Sequence, residues 1–432
     1  MPLNRGISFN LKENIYEKTT PEMLKYMVDG IKYVCETYKR RGPGTQSERD
    51  AQDFFKKELS KYSDEVISED FPIHPHAFMG FIFYSAAFSL IGIACYWFSA
   101  KSLALPIVGS VLTLLAVLMF LFEFLFYSEF VDFLFPKRIS RNVYAVRKPK
   151  GEVKRRIIFG GHTDVSPEWT FSYRGGLPAL ATVIAGSIIS MFIIFGSNIA
   201  IFIKALTSDA IVYDGFWKVL GIINICTIPF LIAIMFFINW KELVDGANDN
   251  LSANYVAMAV LKEMAEEDFR FENTEVCCLL AGAEEAGIRG SRAFARKHKK
   301  EMLDIETVFI AMDTMREIKE FRINSIGCTG TVHNSEAVGD LIHEAGMNCG
   351  VDIPRAEIYP GAVDAEAFTK EGLKSCGFCG VSHNPQKYYH TRMDTWDNIS
   401  EECISLSLDI CREAARLYDE NGGIKKYEDA RK

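Results

Sequence analysis

Histidine and acidic residues stand together at His162-Thr163-Asp164, Asp249, Glu284-Glu285, Asp313 and His390. Imidazole with several carboxylates is the donor set of a hard-to-borderline divalent metal, and Zn²⁺ accepts both nitrogen and carboxylate oxygen. On an extended strand Asp164 projects to the same side as His162, where its carboxylate is expected to accept the other ring N–H and hold the metal-binding tautomer. Adjacent Glu284 and Glu285 do not easily point at one ion, so one ligand and one general base is the economical division. Singly, each feature has a plainer reading: a histidine hydrogen-bonded at a strand end, or an acidic pair on a solvated face. Their joint occurrence carries the argument.

These residues need elements to hold them. NVYAV (142–146), RIIFGG (156–161), VCCLLAG (276–282) and VFIAMD (308–313) are short runs rich in Val, Ile, Phe or Leu. They alternate with helical stretches such as Leu251–Met264, which predicts an α/β fold with a mixed central sheet and helices on both faces. His162, Glu284-Glu285 and Asp313 then fall at strand carboxyl ends, where open α/β sheets bind ligands. Asp249 and His390 join them from loops. Near the start, Thr20-Pro21 reads as an N-cap and first helical residue. Leu24, Met27, Val28, Ile31, Val34, Cys35 and Tyr38 recur at helical spacing as a core stripe, and Gly42-Pro43-Gly44 stops the run.

Of 432 residues, 49% are apolar and 24% charged, which excludes a disordered chain or a coiled coil. The net charge of −8 argues against nucleic acid as a partner. The first residues show no apolar core or small-residue cleavage site, and eleven scattered cysteines suggest reduced thiols rather than a disulfide framework. The lone CGFC (376–379) lacks the second pair a metal site needs.

Long charge-free runs lie between His76 and Lys101, between Lys101 and Glu123, from Gly175 to Ile203 and from Val219 to Trp240. Each reaches the roughly 20 residues that cross a hydrocarbon core as a helix, so four transmembrane helices in two hairpins, 77–136 and 177–240, are expected. Catalytic-domain segments would be 1–76, 137–176 and 241–432. Lys137, Arg138, Arg141, Arg174 and Lys241 flank the hairpins on the domain side, against Lys101, Lys204 and Lys218 on the other, which places the domain in the cytoplasm. Glu123 is expected at a membrane interface.

The segments GGHTD (160–164), GANDNLSA (246–253), GAEEAGIRGS (282–291), AMD (311–313) and YYHTRMDT (388–395), with RRGPGTQSERDAQDFF near the N-terminus, resemble the co-catalytic di-zinc aminopeptidases of the leucyl aminopeptidase and aminopeptidase Y type. The resemblance covers nearly all of the hydrophilic chain. It implies that Asp249 bridges two zinc ions, that His162 and Asp313 complete one site and Glu285 and His390 the other. Glu284 would be the general base and Asp164 the carboxylate behind His162. The implied substrate is a peptide with a free N-terminus, and the lipid bilayer is the second partner.

Two departures stand out. Asp164 and Asp249 lie 85 residues apart, with a hairpin between them, where the family keeps them close. In YPGAVDAEAF (359–368), Asp364 and Phe368 match the family's specificity segment and Val363 does not. Tyr359 stands where a phenol either packs or donates to an oxyanion. A carboxypeptidase of the same superfamily is the alternative, with Arg289, Arg292, Arg316, Arg322 and Arg392 as a cationic cluster for a substrate carboxylate. Glutaminyl cyclases of a related branch work with one zinc, which a five-ligand set does not suggest. A non-catalytic receptor would have lost Glu284 or a ligand. A transporter would keep a charge within the spans. The hairpins either anchor the enzyme or turn its cleft toward the bilayer to receive membrane-derived peptides.

Overall fold

The computed structural model describes residues 18–208, 210–358, 361–381 and 387–431. Its strands are β1 (Glu65–Ile73), β2 (Arg138–Arg147), β3 (Arg155–His162), β4 (Pro167–Trp169), β5 (Ile238–Leu243), β6 (Thr274–Ala281), β7 (Glu306–Asp313), β8 (Phe321–Gly327), β9 (Val332–His333), β10 (Arg355–Glu357) and β11 (Lys374–Gly380). The helices are α1 (Pro21–Thr37), α2 (Gln46–Leu59), α3 (Ala77–Phe98), α4 (Ala104–Met119), α5 (Thr170–Thr207), α6 (Gly215–Cys226), α7 (Ile228–Ile234), α8 (Ala253–Glu266), α9 (Arg289–Asp304), α10 (Glu336–Asn348), α11 (Asp364–Lys370), α12 (Glu401–Glu420) and α13 (Lys425–Asp429).

The main sheet runs β1-β2-β6-β3-β7-β11-β8-β10, with β9 on β8. Its centre, β6-β3-β7-β11, is parallel; β2 pairs antiparallel with β6 and β1 with β2, β8 pairs antiparallel with β11, and β10 closes that rim parallel to β8. The four expected strands are all present, each longer than its apolar run. Side-chain alternation buries both faces: Ile157 and Phe159 point into one core and Ile158 into the other, as do Cys278 and Cys277. The first core lies under α1, α2, α8, α10 and α12, the second under α9 and α11. Cys376 and Cys379 are buried in opposite cores, so the CGFC pair is packing, and all eleven cysteines are free.

Helix α1 begins as expected, with Thr20 Oγ1 accepting the Met23 N–H at 3.2 Å, but ends at Thr37, ahead of Gly42. Helix α8 starts at Ala253 rather than Leu251, because residues 247–252 form an irregular turn in which Asp249 and Asn250 leave helical geometry.

Among the described residues, four helices are long and apolar enough to cross a membrane: Ala77–Lys101, Ala104–Leu125, Thr170–Thr207 and Gly215–Ile234. Their outer faces expose Phe83, Ile91, Val111, Ile189 and Ile222, the reverse of a water-facing helix. Inside, Asn198 Nδ2 donates to the Gly92 carbonyl at 3.2 Å, and a Cβ on Gly109 would lie 2.1 Å from Asn198 Oδ1. Small residues and one shared amide thus bring α3, α4 and α5 together. The fourth span stops at Ile234, short of the expected Trp240, because residues 238–243 pair with β4.

Each helix pair joins two strands of an antiparallel ladder. Ile73 and Arg138 are register partners of the β1–β2 ladder, and Trp169 and Ile238 are partners in β4–β5. Glu123 is fully buried rather than interfacial. Its Oε1 accepts the Val131 N–H at 2.7 Å and its Oε2 lies 3.6 Å from Arg289, tying the end of the first pair to α9.

Candidate metal centre and active site

The carboxyl ends of β3, β6 and β7 converge, and with the loops holding Asp249 and His390 they bring His162, Asp164, Asp249, Glu284, Glu285, Asp313 and His390 into one cluster. Asp249 is its middle. Its Oδ1 lies 3.1 Å from His162 Nε2 and its Oδ2 lies 3.0 Å from His390 Nε2. Asp313 Oδ2 is 3.7 Å from His162 Nε2, Glu285 Oε1 is 3.2 Å from His390 Nε2, and Glu284 Oε2 is 3.9 Å from His162 Nε2. Among the described residues, the triads His162–Asp249–Asp313 and Asp249–Glu285–His390 each bring one donor atom per residue within 4.8 Å of the others, and they share Asp249.

Asp164 does more than stand behind His162. The nearest acceptor to His162 Nδ1 is the main-chain oxygen of Asp164 at 3.1 Å, whereas the Asp164 carboxylate is 3.7 Å away. That carboxylate accepts the backbone N–H groups of Glu284 and Glu285, both at 3.0 Å, and so fixes the turn from which both glutamates project. The turns themselves are tightly drawn: Ala283 after β6 and Thr314 after β7 have φ of 54° and 47°, and His390 itself has φ of 51°. Non-glycine residues in the left-handed region cluster where a site constrains them.

Several supporting residues receive no role from the sequence, although some stand within the segments that carry the resemblance. Asp394 accepts the backbone N–H of Asn248 at 2.8 Å and of Asp249 at 3.1 Å, and also the Asn248 amide. Asn250 donates to the Met312 carbonyl and accepts the Thr314 N–H, clamping the Asp249 turn to the end of β7. Asn254 donates to the His162 carbonyl at 2.6 Å. Buried Glu48 accepts from Gly44, Ser140 and Ala283, so the N-terminal segment also braces the glutamate turn. Around His390, Ser166 Oγ lies 3.2 Å from Nδ1, and the rings of Trp169 and Tyr389 pack at 4.4 and 4.0 Å. Tyr359 lies outside the described residues.

The donor chemistry fits divalent cations. Asp164, Asp249 and Asp313 are buried and the Glu285 side chain is nearly so, with the imidazoles of His162 and His390 set among them. Burial pushes Asp164 and Asp313 up to about 7, with the Glu285 carboxylate adding to it for the first and Asp249 for the second. Burial alone would depress His390, yet Glu285 and Asp249 raise it to about 10. Asp249 is held low, because His162 and His390 outweigh its burial. Without positive charge this many carboxylates repel one another. Positioning matters as much as donation: Asp394→Asn should lower metal affinity and turnover by ~10–100-fold, the usual effect of removing a group that orients a ligand. Metal titration and peptide hydrolysis on the same preparation check it.

The arginines expected to bind a substrate carboxylate are engaged elsewhere. Arg289 meets Glu123, Glu129 and Asp132; Arg292 meets the Tyr127 carbonyl; Arg316 meets Asn398; Arg322 meets Glu320; and Arg392 meets Glu168. None of the five lines the cavity at the cluster.

Sheet order, core layers and the cluster at the strand carboxyl ends define a zinc aminopeptidase-like fold. The sequence model of Peptidase family M28 matches residues 235–415, a span that contains Asp249, Glu284, Glu285, Asp313 and His390. The zinc aminopeptidase BSAP from Bacillus subtilis superposes with a TM-score of 0.54 at 14% identity, covering 93% of this chain and 96% of that one. An aminopeptidase from Aneurinibacillus sp. strain AM-1 gives 0.53 at 15%, covering 91% and 93%. A glutaminyl cyclase from an Acidobacteriales bacterium gives 0.54 at 13%, covering 95% and 99%. No curated protein matches the chain by sequence.

Proposed function

We propose that the protein is a membrane-anchored, zinc-dependent aminopeptidase that removes N-terminal residues from peptides. The observation that carries this is Asp249, whose two oxygens face His162 on one side and His390 on the other. In this reading His162, Asp249 and Asp313 hold one ion and Asp249, Glu285 and His390 a second. Such a pair, when bound, acidifies water and polarises a carbonyl.

The chain's own groups do the rest. Glu284 projects into the space beside His162, takes a proton from the attacking water and delivers it to the departing amine. Asp164 keeps Glu284 and Glu285 in their places through their N–H groups. The four apolar helices anchor the enzyme, with the catalytic domain on the cytoplasmic side. Lys137, Arg138, Arg174 and Lys241 support that orientation. Arg141 drops out of the tally, since it is committed to Asp53 and Asp70.

The test compares a peptide bearing a free N-terminus and an apolar first residue with its acetylated twin, in detergent. Release of the first residue from the free peptide alone is the expected result. Equal cleavage of both, or cyclisation of an N-terminal glutamine instead of cleavage, would sink the aminopeptidase reading.

A further inference from the structure

The cavity that holds the metal cluster does not end at the sheet. It has a volume of about 670 Å³, and its far walls come from the apolar helices, including Phe81 and Ile82 of α3, Leu180, Ile184 and Ile188 of α5, and Leu231 of α7. Along α5 the lining runs from Leu177 to Met191, and along α3 from Phe78 to Ser89. At ~1.5 Å rise per residue these stretches span about 20 and about 16 Å. Among the described residues charge is confined to one end: the ionisable acids and histidines on the wall are the cluster residues themselves.

The few hydroxyls deeper in are already used. Ser85 donates to the Ala116 carbonyl, Ser89 to the Ser85 carbonyl and Ser187 to the Val183 carbonyl. A peptide backbone in this space would bury N–H and C=O groups with nothing to bond. An extended peptide therefore does not thread into the helix bundle. An aliphatic chain has no polar groups to satisfy and needs little width. At ~1.3 Å of projected length per carbon, set by C–C bonds of ~1.5 Å, the shorter stretch takes about twelve carbons.

We propose that the site hydrolyses amides whose acyl side carries a long aliphatic chain, with the chain lying in the helix-lined cavity and the amide at Glu284. This rests on the hydrolase reading above. Beyond the scissile bond a peptide is polar and of any length, so it belongs on the solvent side, and the helix-lined apolar space falls to the acyl side. Water oxygen bonds to the acyl carbon, the C–N bond breaks, and Glu284 passes the water's proton to the leaving amine. The products are a long-chain carboxylate and a free amine. The chain has two possible sources, a lipid-like side chain on an N-terminal residue that keeps its α-amine, or a fatty acyl group without one.

Two series of alanine amides, 2-aminoacyl and simple acyl, with chains of four to ten carbons, separate these sources in metal-loaded, detergent-solubilised enzyme. kcat/KM is expected to rise on the order of threefold per added methylene in at least one series, and the series that rises names the source. Ile184→Trp should flatten the rise at long chains and Ile184→Ala should not. Partitioning into detergent is common to all three proteins, so the ratio of wild type to variant isolates the cavity. Profiles that are flat or falling beyond natural side-chain length in both series, while leucyl-alanine amide is still hydrolysed, overturn the proposal alone. No hydrolysis of any compound overturns the hydrolase reading and the proposal with it.

Discussion

Glu284→Gln is expected to lower kcat by ~10²–10⁴-fold, the range that a positioned general acid–base group supplies, while leaving metal content unchanged. The substitution keeps the side chain's length and the backbone N–H that Asp164 Oδ1 accepts at 3.0 Å, so the turn after β6 should persist. What it removes is a carboxylate able to carry a proton between two substrate atoms. Burial holds Glu284 well above the ordinary glutamate range, with Glu285, Asp364 and Asp313 adding to it against the pull of His162. Hydrolysis assays paired with elemental analysis read both quantities. Activity within a few-fold of wild type would reassign the base, and joint loss of metal and activity would make Glu284 a ligand.

The second large effect is expected at Asp249. Asp249→Ala takes a carboxylate from between His162 and His390 and so opens both triads at once. Metal affinity should fall by more than the ~10–100-fold typical of a supporting residue, and turnover should fall with it. Stability reports the same event independently. For the wild type, zinc at a hundred times its Kd should stabilise the fold by about 2.7 kcal/mol per site, since only the folded state is expected to bind. In Asp249→Ala that increment should largely vanish, seen as a zinc-dependent rise in Tm that the variant lacks. A full zinc-induced rise in the variant would show that the ions sit elsewhere.

The convergence of these residues was legible because each follows a β-rich run whose end fixes where the next side chain goes. His162 and Asp313 close β3 and β7, and Glu284-Glu285 follow β6 by a short turn. The apolar helices were legible for a simpler reason, the absence of charge over long stretches. What escaped depends on partners distant in sequence. Nothing local marks Asp394 as the acceptor for amides near 248, or Glu48 as the acceptor for Ala283. The strand KSCGFCG has no β-branched residue, so β11 shows only once β7 and β8 flank it. INWKEL reads as the tail of an apolar span until Glu168 and Trp169 of β4 pair with it. Glu123 looks interfacial because sequence cannot show that Arg289 and the Val131 amide wait behind the helix end.

The register pairs Ile73–Arg138 and Trp169–Ile238 have a consequence for how such a chain is assembled. Each excursion leaves and re-enters at a single rung of an antiparallel ladder, so topologically it is a hairpin turn of unusual length. A turn can be exchanged for another without moving the strands on either side of it. Because closure entropy grows only logarithmically with length, lengthening the turn from a few residues to a helix pair adds little cost to the fold that hosts it. The two excursions are in this sense cassettes: each can be exchanged while the strand order and the residues at the sheet's edge stay in register.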